Sequence, residues 1–276
     1  MDEFDVEVAG GALRVCRWPG TGPVVLAAHG ITANALAFEG LARALGGRVQ
    51  LVAPDLRGRA RSNALPGPYG MASHATDLIA IADHLGVGRV PLVGHSMGGF
   101  VVGSTAAAYP DRISGILLVD GGLPLPVPSG VGIDQVLEAV IGPAMQRLSM
   151  TFPSAEAYVS FFRRHPALAD GWEPDIEAYV LRDFAGDRSS CSLEAVRADA
   201  TDTLMTESVI PKIDCPVRLL YAERGMLNEA QGLYDAGRLA DVRFPVELVP
   251  DVNHYSILFD ATAVGRVADR IVELAA

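Results

Sequence analysis

In the middle of the chain, Gly94-His95-Ser96-Met97-Gly98 sets a serine between two glycines. The apolar run Val90–Val93 precedes it, and a small-residue run (Gly99, Gly103, Ala106, Ala107, Ala108) follows it. Strand, sharp turn and helix is the context in which G-x-S-x-G holds a serine on a strained turn with its hydroxyl projecting, while the glycines keep neighbouring chain from clashing. The chemistry is nucleophilic attack by Ser96. A serine hydroxyl is a weak nucleophile at neutral pH, so a base must take its proton, a carboxylate must orient that base, and two N–H groups must meet the developing oxyanion. Histidine suits the base role, and His29, His74, His84, His95, His165 and His254 are available. No G-x-G-x-x-G or Walker-type loop is present, and no His/Asp/Glu spacing resembles a metal site, so neither cofactor nor metal is expected.

The elements that must position these groups are legible as apolar runs. Residues 4–18 alternate apolar and polar around Gly10 and Gly11 and predict two antiparallel strands with a tight turn. Continuous apolar runs follow at Val24–Ala28, Val49–Ala53, Val90–Val93, Gly115–Val119, Val217–Ala222 and Val246–Val249. Continuous apolarity marks strands buried on both faces, as in a parallel sheet. Amphipathic stretches such as Ala72–Leu85 separate them, so the expected fold class is α/β, a mostly parallel eight-stranded doubly wound sheet. The rhythm breaks between Val119 and Val217. There the Pro/Gly-rich stretch DGGLPLPVPSG leads into helical stretches at Asp134–Leu148, Ala155–Arg164, Asp175–Phe184 and Leu193–Leu204. Residues 121–210 are expected as a helical cap inserted after strand six, with 1–120 and 211–276 forming the core.

The bulk properties set limits on partners. A chain of 276 residues with 50% hydrophobic residues can bury a sizeable core. A net charge of −11 argues against nucleic acid and anionic membranes, which reward Lys/Arg clusters. The acidic start Met1-Asp2-Glu3 is unlike a secretory signal, no apolar run approaches the ~20 residues of a membrane span, and Cys16, Cys191 and Cys215 are scattered as reduced thiols would be. The expectation is a cytoplasmic protein acting on a small molecule.

At this point the chain resembles the α/β-hydrolase superfamily, through LAAHGIT, PDLRGRARS, VGHSMGG, the insertion and a late histidine in VPDVNHYSILF. The resemblance implies a serine esterase-type triad with Ser96 as nucleophile and His254, after the last strand run, as base. It implies an oxyanion hole from the backbone N–H groups of Met97 and Ile31. His29 then shapes the oxyanion loop, His95 packs beside the elbow, and His74 and His84 lie on a surface helix. Asp55 and Arg57 tie down a loop. The acid is the open point, because similar enzymes carry an Asp where this chain has Gly225. Asp120, at the end of ILLVDGG, is preferred; Glu223 is the alternative, and Asp251 lies awkwardly close to His254. The implied reaction is hydrolysis, through an acyl-enzyme, of a carboxylic ester or lactone of a small to medium, apolar substrate held in a pocket lined by apolar cap residues. Carbon–carbon bond hydrolysis of a diketone-like compound, or ligand binding on a weakly active scaffold, are the alternatives.

Overall fold

The structure is a computed structural model that describes residues 1–125, 130–205 and 207–276. Part of the Pro/Gly-rich stretch, residues 126–129, therefore lies outside the described residues. Strands β1 (Asp2–Val8) and β2 (Gly11–Trp18) form the expected antiparallel pair, and β3 (Val24–Ala28) follows. Then come α1 (Glu39–Leu45), β4 (Gln50–Pro54), α2 (Met71–His84), β5 (Val90–His95), α3 (Met97–Ala108) and β6 (Ile113–Val119). The insertion carries α4 (Ile133–Leu148), α5 (Ala155–Arg163), α6 (Pro174–Asp183), a two-stranded hairpin of β7 (Phe184–Ala185) and β8 (Arg188–Ser189), and α7 (Leu193–Met205). The sheet then resumes with β9 (Val217–Ala222) and β10 (Val246–Val249), and α8 (Ala261–Ala275) ends the chain.

The eight main strands form one sheet in the order β1-β2-β4-β3-β5-β6-β9-β10. Pairing is antiparallel for β1 with β2 and for β2 with β4, and parallel elsewhere. Every residue of β5 is buried, which is why its sequence reads as an unbroken apolar run rather than an alternation. The two faces form separate cores. One packs α1 and α8, with Phe38, Leu41, Val267 and Ile271 against the sheet; the other packs α2 and α3, with Leu78, Ile81, Val101 and Val102.

Two features were not legible as runs. The hairpin β7–β8 is only two residues a side, too short for a periodic pattern. Residues 223–245, between β9 and β10, contain turns and bends but no helix, unlike the amphipathic links elsewhere. The insertion is held by its own cluster (Leu137, Ile141, Met145, Leu148, Val196, Ala200) and by sharing the α1/α8-side core through Tyr158, Ile176 and Val180.

Candidate functional site

Ser96 sits between β5 and α3 with φ 56° and ψ −124°, a conformation a side chain adopts only under strain, at a cost of about 1–3 kcal/mol. Crowding around it explains the glycines. A Cβ on Gly98 would lie 1.9 Å from the Ala28 carbonyl oxygen, and one on Gly94 would lie 2.1 Å from that of Gly98. Gly121, which no motif marks, is equally tight: its Cβ would be 2.1 Å from the Ser96 carbonyl oxygen. The elbow thus closes against β3 on one side and the end of β6 on the other.

From this turn the Ser96 hydroxyl donates to His254 Nε2 at 3.0 Å, and His254 Nδ1–H donates to Asp120 Oδ2 at 2.6 Å. Asp120 is fully buried and His254 nearly so. The second Asp120 oxygen accepts from the Ala222 N–H at 3.1 Å, and its own N–H donates to the Leu220 carbonyl at 2.8 Å, so the carboxylate is fixed to β9. The His254 loop is fixed as well: Asn253 Oδ1 accepts from the N–H groups of Tyr255 and Ser256, both at 2.9 Å. His95 Nε2–H donates to the His254 carbonyl at 2.8 Å while its ring lies 4.8 Å from the His254 ring. Burial pushes the pKa of His95 down to about 3, so at neutral pH it is an uncharged brace.

The structure brings Ser96, His254 and Asp120 together, and it does not bring Glu223 to them. Glu223 Oε2 accepts from the Asp251 N–H at 2.8 Å and closes a turn. Asp251 is exposed and serves that turn with φ 61°. Gly225 has a physical reason for lacking an acid: a Cβ there would fall 2.4 Å from Glu229 Oε2 and 2.8 Å from the Gln231 carbonyl oxygen. The Glu229 carboxylate folds back over it, held by the Leu227 N–H at 2.8 Å.

The N–H groups of Ile31 and Met97 have no acceptor among the described residues. Their peptide planes are nonetheless held rigidly. His29 Nδ1–H donates to the Gly30 carbonyl at 2.8 Å, and that carbonyl belongs to the same planar unit as the Ile31 N–H. His29 Nε2 accepts from the Leu56 N–H at 2.9 Å, and burial lowers its pKa to about 3, which keeps that tautomer neutral. The Ile31 carbonyl accepts from Arg59 Nε at 3.0 Å, and the Ser96 carbonyl, in the plane of the Met97 N–H, accepts from Gly99 at 2.9 Å. Two fixed, unpartnered N–H groups beside a serine hydroxyl can stabilise an oxyanion.

Arg59 was not singled out by sequence reasoning, and His74 departs from the expected surface position, since it is fully buried. Both converge on Asp199 of α7. Arg59 Nη1 pairs with Asp199 Oδ2, His74 Nε2–H donates to the same oxygen at 3.0 Å, and the Gly70 N–H donates to Oδ1 at 2.6 Å. Burial works to raise the Asp199 pKa, but the Arg59 charge and the His74 hydrogen bond outweigh it and hold it at about 2. The signal lay in the spacing of no motif; Asp199 is some 140 residues from Arg59 in the chain. His84 is exposed and stacks on Phe4. Asp55 and Arg57 serve loops: Asp55 accepts from the Ala35 and Arg61 N–H groups and pairs with Arg182 of α6, and Arg57 pairs with Asp77. Among the described residues no cluster of His, Cys, Asp and Glu has the form of a metal site.

Ser96 and His254 open into a cavity of about 290 Å³, roofed by α4, α5 and α6 of the insertion. That is near the lower end of ligand pockets, roughly 300–1,000 Å³.

Residues 23–140 match the family model described as the alpha/beta hydrolase fold. A 2-(acetamidomethylene)succinate hydrolase of Mesorhizobium japonicum is 30% identical over 243 residues, 87% of this chain and 84% of that protein. The chain belongs to the α/β-hydrolase family. A lipase of Mycobacterium tuberculosis is 35% identical over 130 residues, 47% of this chain and 48% of the lipase. The chain spans only about a third of the length of an uncharacterized Mycobacterium tuberculosis relative, at 34% identity over 112 residues. Among solved structures, an E-2-(acetamidomethylene)succinate hydrolase superposes with TM-score 0.80 at 24% identity, covering 99% of each chain, which is a likeness of fold. No helix of the chain, among the described residues, is long and apolar enough to cross a membrane.

Proposed function

We propose that this α/β hydrolase cleaves a carboxylic ester or lactone of small to medium size through an acyl-enzyme on Ser96. The observation that carries this reading is the hydrogen-bonded relay from Ser96 through His254 to Asp120, opening into a cavity. Ser96 Oγ attacks the substrate carbonyl carbon as its proton passes to His254 Nε2, and the carbonyl oxygen, now negative, takes hydrogen bonds from the Ile31 and Met97 N–H groups. Asp120 holds the Nδ1 proton and steadies the imidazolium. Collapse of the intermediate expels the alcohol, which takes the proton from His254 Nε2. Water then gives its proton to the same nitrogen and attacks the acyl-enzyme, releasing the carboxylic acid and restoring Ser96. Glu223 has no part in this scheme. Residues 121–210 act as the cap over a core of 1–120 and 211–276, and the scattered thiols Cys16, Cys191 and Cys215 suit a reducing cytoplasm.

The test is turnover of p-nitrophenyl acetate and butyrate with labelling by a fluorophosphonate. Wild-type protein should turn over at least one ester and be labelled at Ser96, and Ser96→Ala should lose both. Folded protein that shows neither would leave the scaffold as a binding protein. The relatives' names include both a lipase and an acetamidomethylene hydrolase, so an acetanilide belongs beside the esters as a measure of bond preference.

A further inference from the structure

The cavity beside Ser96 is walled mainly by apolar side chains, yet it holds one buried guanidinium. Arg147, in the last turn of α4, is 6% exposed and lines the cavity. Its Nη1 donates to Tyr158 Oη at 2.9 Å and to Asp183 Oδ2 at 3.3 Å, and its Cζ lies over the Phe162 ring, 5.0 Å from the centroid. Asp183 is well supplied without it: Tyr158 Oη–H reaches it at 2.5 Å and Ser189 Oγ–H at 2.7 Å. Nε and Nη2 of Arg147 have no acceptor among the described residues, and neither is a sealed, unsatisfied atom. Both atoms keep some accessible surface, and Arg147 lines the cavity.

Three more donors share this condition. The Tyr179 and Tyr255 hydroxyls have no partner among the described residues, and both side chains line the same cavity. His165 Nδ1 accepts from the Ala167 N–H at 3.2 Å, so its proton sits on Nε2, again without an acceptor. Burial, then the Arg147 charge, lowers the His165 pKa and keeps that ring neutral. A cavity rich in unpartnered donors around one fork-shaped cation is built for an anion. Glu229 is the opposing charge on the cavity wall, but the Leu227 N–H draws it back onto its own loop. Asp183 is already paired with Arg147 and Glu229 stands on the wall, so the site has little positive charge to spare, and a planar carboxylate group, which matches the guanidinium fork, suits it better than a tetrahedral phosphate.

We propose that the cavity selects substrates bearing a free carboxylate, gripped by Arg147 with the Tyr179 and Tyr255 hydroxyls while the scissile bond lies at Ser96. This rests on the hydrolase reading for events at Ser96, but binding of the carboxylate is separable from turnover. The overall charge of −11 does not oppose it, because surface charges are screened within about 8–10 Å.

The kinetic arm compares mono-(p-nitrophenyl) glutarate with p-nitrophenyl valerate. Wild-type protein should prefer the acid ester in kcat/KM by about tenfold or more, and Arg147→Met should lose that preference, with the loss carried by KM for the acid ester. Because Arg147→Met strips Asp183 of its cation, Arg147→Lys and Tyr179→Phe are made in parallel, with folding checked by thermal melting. Each should weaken the acid ester selectively. The binding arm needs no turnover: Ser96→Ala protein is titrated by calorimetry with malonate, succinate, glutarate and adipate, against glutaramide and inorganic phosphate. At least one dicarboxylate should bind, and both controls should not. Labelling of Ser96 and turnover of valerate with no dicarboxylate binding and no acid-ester preference would overturn the carboxylate site alone. Absence of labelling and turnover would overturn the hydrolase chemistry, and the titration would still decide the carboxylate site. Phosphate binding in place of dicarboxylates would also overturn it.

Discussion

Replacing Asp120 by Asn tests the acid with almost no change of shape. Asp120 Oδ1 accepts from the Ala222 N–H at 3.1 Å, and Oδ2 accepts from His254 Nδ1–H at 2.6 Å. An asparagine has one acceptor oxygen and one donor nitrogen. The Ala222 N–H can only donate, so it claims the oxygen and turns the NH2 towards His254. That NH2 donates to Nδ1, which forces the imidazole proton onto Nε2, where it faces the Ser96 hydroxyl. In that tautomer His254 has no lone pair for the Ser96 proton. A misplaced tautomer of this kind lowers kcat by about 10⁴, or about 5.5 kcal/mol of barrier. The assay is single-turnover and steady-state hydrolysis of p-nitrophenyl butyrate, with KM expected to change little and the melting temperature checked. Glu223→Gln is the matched control and should retain near wild-type kcat, since among the described residues Glu223 holds only the Asp251 N–H. Retention of more than a tenth of kcat in Asp120→Asn, or a large loss in Glu223→Gln, would refute the assignment.

Gly121→Ala should yield little folded or active protein, because its Cβ meets the Ser96 carbonyl at 2.1 Å; soluble yield and fluorophosphonate labelling are the readouts. Arg59→Met leaves Asp199 buried without its cation and should destabilise by about 3–5 kcal/mol in urea melts. His95 has its pKa lowered by burial from 6.5 to about 3, so the unfolded chain binds its proton first as pH falls. The stability this group contributes is therefore complete above pH 6.5 and lost below it, at up to about 1.4 kcal/mol per pH unit. Urea melts between pH 6 and 5 should show a shallower decline in His95→Asn than in wild type, by about one proton's worth. Ser154 Oγ caps α5 through the Ala157 N–H at 3.1 Å, and Ser154→Ala should cost about 1 kcal/mol by the same melts.

What the sequence made legible followed from how each signal is encoded. The central sheet was readable because β5 and its neighbours β3 and β6 are largely buried and carry continuous apolar runs. Val246–Val249 also coincides with a strand, but β10 is an edge strand with most of its residues exposed or partly exposed, so the expected burial on both faces does not hold there. The elbow was readable because strand, glycine-fenced serine and helix are contiguous. The choice among Asp120, Glu223 and Asp251 was not fully readable, because a side chain's reach across β6 and β9 depends on register and backbone angle. Asp120 turns at φ 44° beside His254, and nothing in ILLVDGG announces that. Arg147 and the Arg59–His74–Asp199 group were invisible for a similar reason: each joins segments far apart in the chain, and a buried arginine or histidine looks like a surface one in a string of letters.

The Arg59–Asp199 pair makes the insertion a poor candidate for a modular cassette. Arg59 belongs to the core and also holds the Ile31 carbonyl, while its carboxylate partner belongs to α7. Exchanging the insertion for that of another member of the fold family, as an engineer seeking a new substrate range would do, would strand a cation inside the core unless the incoming helix supplied an acid at the same spot. Chimaeras of this scaffold need their junctions drawn by charge as well as by chain position, with Asp199 travelling alongside its arginine.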